Sequence, residues 1–149
     1  FNIIHTFDNG FGFQANATMV DSEGSAAGGS SFDLEGVSDS YNLVTFYENG
    51  PLQVRLAYNW RSEYMIRELP GFYGNREHQD YGTLDLSAKY SITDSLDVTF
   101  EAVNLTEEDS IQIGVAQGDA QVVPELKDGY PAWSFEGEAR YKLGLQFRF

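Results

Sequence analysis

Cysteine is absent from the chain, which excludes a disulfide framework and any thiolate metal site. Basic residues are scarce: 9 Lys+Arg against 23 Asp+Glu give a formal net charge of −14. So acidic a chain offers no basic face for phosphates, and nucleic acid is excluded as a partner. No run approaches the ~18 consecutive apolar residues of a membrane-spanning helix. The mean hydropathy of −0.36 suits a soluble chain, yet membrane barrel strands are only half apolar and give a similar average. Only two histidines, His5 and His78, are present. Neither sits in a triad or a metal-ligand spacing, so no catalytic residue, metal or cofactor is expected. No signal peptide is visible, and the first residue, Phe1, reads as a cut made by processing or by design.

What the sequence has instead is alternation, with little helical periodicity. "TLDLSAKYSI" sets Leu84, Leu86, Ala88, Tyr90 and Ile92 against Asp85, Ser87, Lys89 and Ser91. "LDVTFEA", "LQVRLAYNW" and "FGFQANATM" divide in the same way, while residues 40–48 are β-rich with ambiguous faces: Leu43 and Tyr47 oppose Val44 and Phe46. The chain ends in "WSFEGEARYKLGLQFRF", which reads as one strand from Trp133 to Phe149. The pattern predicts six strands plus the tail of a seventh at "FNIIHTF". Three connections are tight and carry hairpin-turn residues, at 8–10, 48–51 and 93–95. Three are long, at about 22–39, 66–79 and 116–132, the first of them Gly/Ser-rich with the composition of a mobile segment. Short and long alternate strictly, so an up-and-down sheet would carry every tight turn at one end and every long loop at the other.

That asymmetry is typical of outer-membrane barrels. Such a barrel turns its apolar side to lipid and its polar side to the lumen, the inverse of a soluble barrel. The polar side here carries Arg55, Arg61, Asp85, Lys89, Asp97, Glu101, Glu138, Arg140, Lys142 and Arg148, all expected to face the lumen. The apolar side has aromatics near strand ends, Phe11, Phe13, Tyr58, Trp60, Tyr90, Trp133, Phe147 and Phe149, as interfacial girdles do. At ~3.3 Å per residue a 17-residue final strand outruns a compact core. Its lower half would cross a bilayer and its upper half would rise into an outer rim. A soluble sandwich or ligand-binding barrel is the competing reading of the alternation.

Two stretches carry a family resemblance. "YKLGLQFRF" resembles the C-terminal assembly signal of outer-membrane proteins, with Phe149, Phe147, Leu145 and Leu143 alternating back to Tyr141. "DYGTLDLSAKYSITDSLDVTFEAVNLTEED", residues 80–109, resembles the closing hairpin of TonB-dependent receptors. Gly82–Tyr90 match its first strand, and Asn104, Leu105 and Thr106 its second, with Glu107 where Asp is commoner. Residues 41–64 resemble the preceding hairpin in a proteobacterial branch linked to carbohydrate uptake. The resemblance implies an all-β fold: an antiparallel up-and-down transmembrane β-barrel of 22 strands around a plug, of which residues 1–149 supply about the last seven. It implies transport of a carbohydrate or siderophore-type nutrient across the outer membrane of a Gram-negative bacterium, with no enzymatic role. The implied partners are the remaining strands and plug, outer-membrane lipid, the barrel-assembly machinery, TonB through the plug, and a small-molecule or oligosaccharide substrate. A small independent eight-stranded barrel with an adhesive or structural role is the alternative.

Ligand contact is expected in the long loops, where Arg67, Phe72, Tyr73 and Arg76 combine aromatic faces with guanidinium forks. His78 is expected to be a solvated loop residue. Glu107, Glu108 and Asp109 form an acidic run that reads as solvated rim, with a divalent cation as the minor reading. "NAT" at 16–18 and "NLT" at 104–106 match the N-glycosylation pattern but read as barrel residues.

Overall fold

The computed structural model describes residues 1–20, 23–25, 31–67, 75–115 and 130–149. Strands form β1 (Asn2–Thr6), β2 (Phe11–Thr18), β3 (Glu23–Ser25), β4 (Ser31–Asp33), β5 (Ser40–Asn49), β6 (Leu52–Arg61), β7 (Tyr64–Arg67), β8 (Asn75–His78), β9 (Tyr81–Thr93), β10 (Leu96–Val103), β11 (Ser110–Val115), β12 (Tyr130–Phe135) and β13 (Arg140–Phe147). The fold is all-β and antiparallel, with no helix among the described residues.

Seven strands make the main sheet, in the order β1-β2-β5-β6-β9-β10-β13. These are the seven that the alternation predicts, and each pairs with its predicted neighbour. Tight turns join β1 to β2, β5 to β6 and β9 to β10. Gly10 and Gly50 hold positive φ of 87° and 55° in the first two, a region open to glycine at no steric cost. Gly10 is fixed further, because a Cβ there would overlap the Glu48 carbonyl oxygen. Among the described residues the sheet is open, with β1 and β13 at its two edges.

The described parts of the long connections include further strands. β3 and β4 pair with each other, and β7, β8, β11 and β12 form a second sheet in the order β12-β11-β8-β7. That order repeats the order of β13, β10, β9 and β6 below it. Each of these four ribbons is interrupted at one level, at 62–63, 79–80, 104–109 and 136–139, and resumes above. The expected single strand from Trp133 to Phe149 is therefore two strands in two sheets, parted by a four-residue break. The cause is tertiary. Gly137 N donates to Asp109 Oδ1 at 2.8 Å, and Gly137 lies so close to the backbone of Glu108 that a Cβ would overlap its carbonyl. The break also changes sides. Phe135 pairs with Ser110 and lines a cleft with Tyr81 and Asp85. Phe135, and Trp133 stacked 6.3 Å from it, are thus on the side of the charged residues, not with Leu143 as the alternation predicts.

In the main sheet the faces divide as expected. Thr45, Leu56, Leu86, Ala102 and Tyr141 lie in one cross-strand row, and Tyr47, Val54, Ala88, Phe100 and Leu143 in the next. No layer covers this apolar face among the described residues: Leu143 is 74% and Leu145 63% exposed. Among the described residues of both sheets the buried hydrophobics are Val44, Met65 and Ala102, a very small core. The ambiguity at residues 40–48 resolves through packing. Val44 and Phe46 stand on the polar side, where Val44 is buried and the Phe46 ring fills the space that Gly12 leaves open. An aromatic laid across a glycine on the neighbouring strand recovers contact area that glycine lacks. Tyr58 and Trp60 cover Gly82 on the other face in the same way.

Candidate functional site

The polar face of the main sheet carries a row of amides. The register sets Asn2 against Asn16, Asn16 against Asn42, Asn42 against Asn59, and Asn59 against Thr83. Asn16 Nδ2 donates to Asn42 Oδ1 at 3.3 Å, and Asn42 Nδ2 donates to Asn59 Oδ1. Each amide both donates and accepts, so the row suits hydroxyl-rich ligands. Sequence reasoning missed this row because its members come from separate strands. Aligning the strands on their tight turns pairs Asn2 with Asn16 and Asn42 with Asn59, but does not set one hairpin against the next.

Below the row, the charged residues assigned to the polar side share one face. Arg55, Ser87, Glu101 and Lys142 form one cross-strand row, and Lys142 Nζ lies 3.3 Å from Glu101 Oε2 with both side chains largely exposed. Near the tight turns, Asp97 is 1% exposed and takes two cations, Arg148 from beyond β13 and Lys89 Nζ at 3.8 Å from β9. Arg148 is held for this by its backbone N–H, which donates to Ser95 O at 2.9 Å. Asp97 thereby joins three strands through side chains. Asp97→Asn is expected to lower the urea midpoint of the folded protein clearly. Glu101→Gln, which removes an exposed pair, should change stability by less than about 1 kcal/mol. Equal midpoints for the two variants would contradict this ranking.

At the level of the strand breaks, Asn104 organises the 104–109 turn. Its φ is 56° and that of Glu107 52°. Asn104 Oδ1 accepts from Glu108 N at 3.1 Å, and its Nδ2 donates to Glu108 O at 3.2 Å. Asn104 N donates to Asp85 Oδ1 at 2.9 Å, and Leu105 N to Leu84 O at 2.8 Å. "NLT" is thus a structural turn. The acidic run is part of it: Asp109 accepts from Gly137, and no group of His, Asp or Glu among the described residues is arranged to hold a metal ion. A cleft of about 420 Å³ opens beside the turn on the polar side, where Tyr81, Thr83, Asp85, Ser110, Phe135 and Glu138 meet, with Arg140 at its margin.

At the upper end of β6, just below the break, Arg61 meets no carboxylate among the described residues. Its guanidinium lies 3.8 Å from the Tyr64 ring centroid, and its N–H groups donate to Ser38 Oγ at 2.5 Å and Gly36 O at 2.6 Å. His78 is not a solvated loop residue. It is half-buried in β8, stacked on Tyr64 at 5.2 Å, with Nε2 2.9 Å from Ser110 Oγ and Nδ1 2.7 Å from Gln79 O. A short strand and a bulge bring Arg67 and Arg76 directly opposite each other on β7 and β8. Phe72 and Tyr73 lie outside the described residues.

Residues of the expected assembly signal lie together on one strand. Tyr141, Leu143, Leu145 and Phe147 project from the apolar side of β13, and Phe149 beyond it is fully exposed. Within the described residues β13 pairs with β10 alone, so its other edge is open. No protein-family model, curated protein or solved structure matches this chain.

Proposed function

We propose that this chain closes the barrel of an outer-membrane receptor of the TonB-dependent kind, supplying about the last seven strands of a 22-stranded ring around a plug. In this reading it serves uptake of an oligosaccharide or similar nutrient into the periplasm of a Gram-negative bacterium. The observation that carries the reading is an uncovered apolar sheet face opposite a charged one, with every tight turn at one end. Water is a poor neighbour for Tyr141, Leu143, Leu145 and Phe147 in one contiguous patch, whereas lipid is a good one. Two open edges call for companion strands, because unpaired backbone groups are not tolerated in hydrocarbon. The amide row and the cleft, on the other face, suit a hydroxylated solute passing through an aqueous interior. Tyr141–Phe149 would present the apolar edge that the assembly machinery engages, and TonB would act through the plug.

Lipid-borne fluorescence quenchers test the orientation. In the intact native polypeptide folded into vesicles, Trp60 on the apolar face should be quenched and Trp133 on the polar side should not. Absence of quenching at Trp60 would end the reading. Transport is tested separately: deleting the gene should abolish energy-dependent uptake of the cognate nutrient in intact cells.

A further inference from the structure

We infer that Arg67 and Arg76 form an oxyanion clamp for the acidic group of a soluble sugar, a carboxylate or a phosphate. The inference rests on the proposed reading of the polar face as the solute side and names a substrate class for it.

The clamp is built by register. Arg67 pairs with Arg76, Arg76 with Gly114, and Gly114 with Tyr130, so four strands contribute one row. Gly114 has no side chain to fill its place, and the Tyr130 ring lies across it. That lets Tyr130 reach the Arg76 guanidinium, whose carbon stands 5.4 Å from the ring centroid. A cation held on an aromatic face keeps its N–H fork in a fixed plane.

Two features of the row are unfavourable without a counter-charge. Like charges directly opposite on paired strands repel, and the buried Nη1 of Arg76 has no hydrogen-bond partner. A buried donor left unpaired is destabilising. Among the described residues the ion pairs are Lys89–Asp97, Lys142–Glu101 and Arg148–Asp97; none involves this row. One oxyanion between the two guanidiniums would offset their repulsion, and a pair of guanidiniums recognises such a group by charge-assisted bonds. In a chain of net charge −14, anions are repelled at a distance, so recognition must come from such a local pair.

The row faces the solute side. On β8, Arg76 and His78 share a face by alternation. His78 touches Tyr81 at 6.0 Å between ring centroids, and Tyr81 pairs with Arg61 on the polar face of the main sheet. The clamp therefore lies above the amide row and away from the apolar face, which argues for a dissolved sugar acid and against a lipid headgroup.

The test is a binding titration on the intact native polypeptide folded in detergent, using trigalacturonate, glucose 6-phosphate and neutral maltotriose. Trigalacturonate or glucose 6-phosphate should bind, and Arg67→Ala should weaken that binding at least tenfold while leaving maltotriose unaffected. Arg67 is exposed, so this variant tests the clamp without threatening the fold. Arg76→Lys keeps the charge but loses the fork, and should also weaken anion binding. Unchanged affinity in Arg67→Ala, or equal binding of acidic and neutral sugars, would overturn the clamp. Competition by lipid A in mixed micelles would overturn the assignment to a soluble sugar. Because binding is read in detergent, its failure is distinct from a failure of the quenching experiment, which reads lipid contact alone.

Discussion

Leu143→Arg should destabilise the folded protein in phospholipid vesicles by about 2–4 kcal/mol, the range for a cation near the middle of a lipid-facing strand. Leu143 occupies the middle of β13, in the cross-strand row with Phe100 and Ala88. Its side chain is already 74% exposed to whatever surrounds the sheet. If water were the neighbour, the same replacement would fall within about 0.5 kcal/mol, as surface changes do. Magnitude alone therefore separates the two solvents. Gln146→Arg is the control, since Gln146 shares β13 with Leu143 but stands on the polar face opposite Asp97; its effect should be small. Urea titrations of folding into vesicles measure both, and similar shifts for the two variants would remove lipid from the apolar face.

Asn104→Ala has the second-largest expected effect, through backbone geometry and lost hydrogen bonds rather than solvent. A left-handed residue with a Cβ is strained by about 1–2 kcal/mol, and asparagine tolerates the region better than most. Alanine also removes both side-chain bonds to Glu108, each worth about 0.5–1.5 kcal/mol. Together these give a loss of about 3 kcal/mol in the unfolding free energy. Asn104→Gly removes the bonds but relieves the strain, so its loss should be about half as large. If glycine and alanine proved equally damaging, the left-handed conformation would not be what selects asparagine there.

The main sheet was legible because each of its signals is local. Alternation in 84–92 and 96–102, and Asn-Gly or Asp-Ser at the turns, are readable without knowing any distant partner. The second sheet was not legible. Tyr64–Arg67 and Asn75–His78 are four residues each, too short for a period to declare itself, and their pairing is set by the ribbons beneath. The final strand misled for the opposite reason: alternation runs unbroken from Trp133 to Phe149. What interrupts it is Gly137 pressed against the 104–109 turn, a contact between residues far apart in sequence. The site divides in the same way. The charged face followed from alternation, and Arg67 and Arg76 were legible as arginines near a rim. Their opposition required the bulge between Met65 and Arg67, which nothing in the local sequence marks. The amide row needed the register of five strands at once, and the stacking of His78 on Tyr64 needed the pairing of β7 with β8.

The common level at which four ribbons break has a consequence for how such a molecule diversifies. Above it, β7, β8, β11 and β12 pair among themselves, so a hairpin can be lengthened or rewritten there without disturbing a rung of the ladder below. Foreign hairpins transplanted onto these four stems should inherit a ready-made platform, so the upper sheet can change in length and sequence while the main sheet beneath stays as it is.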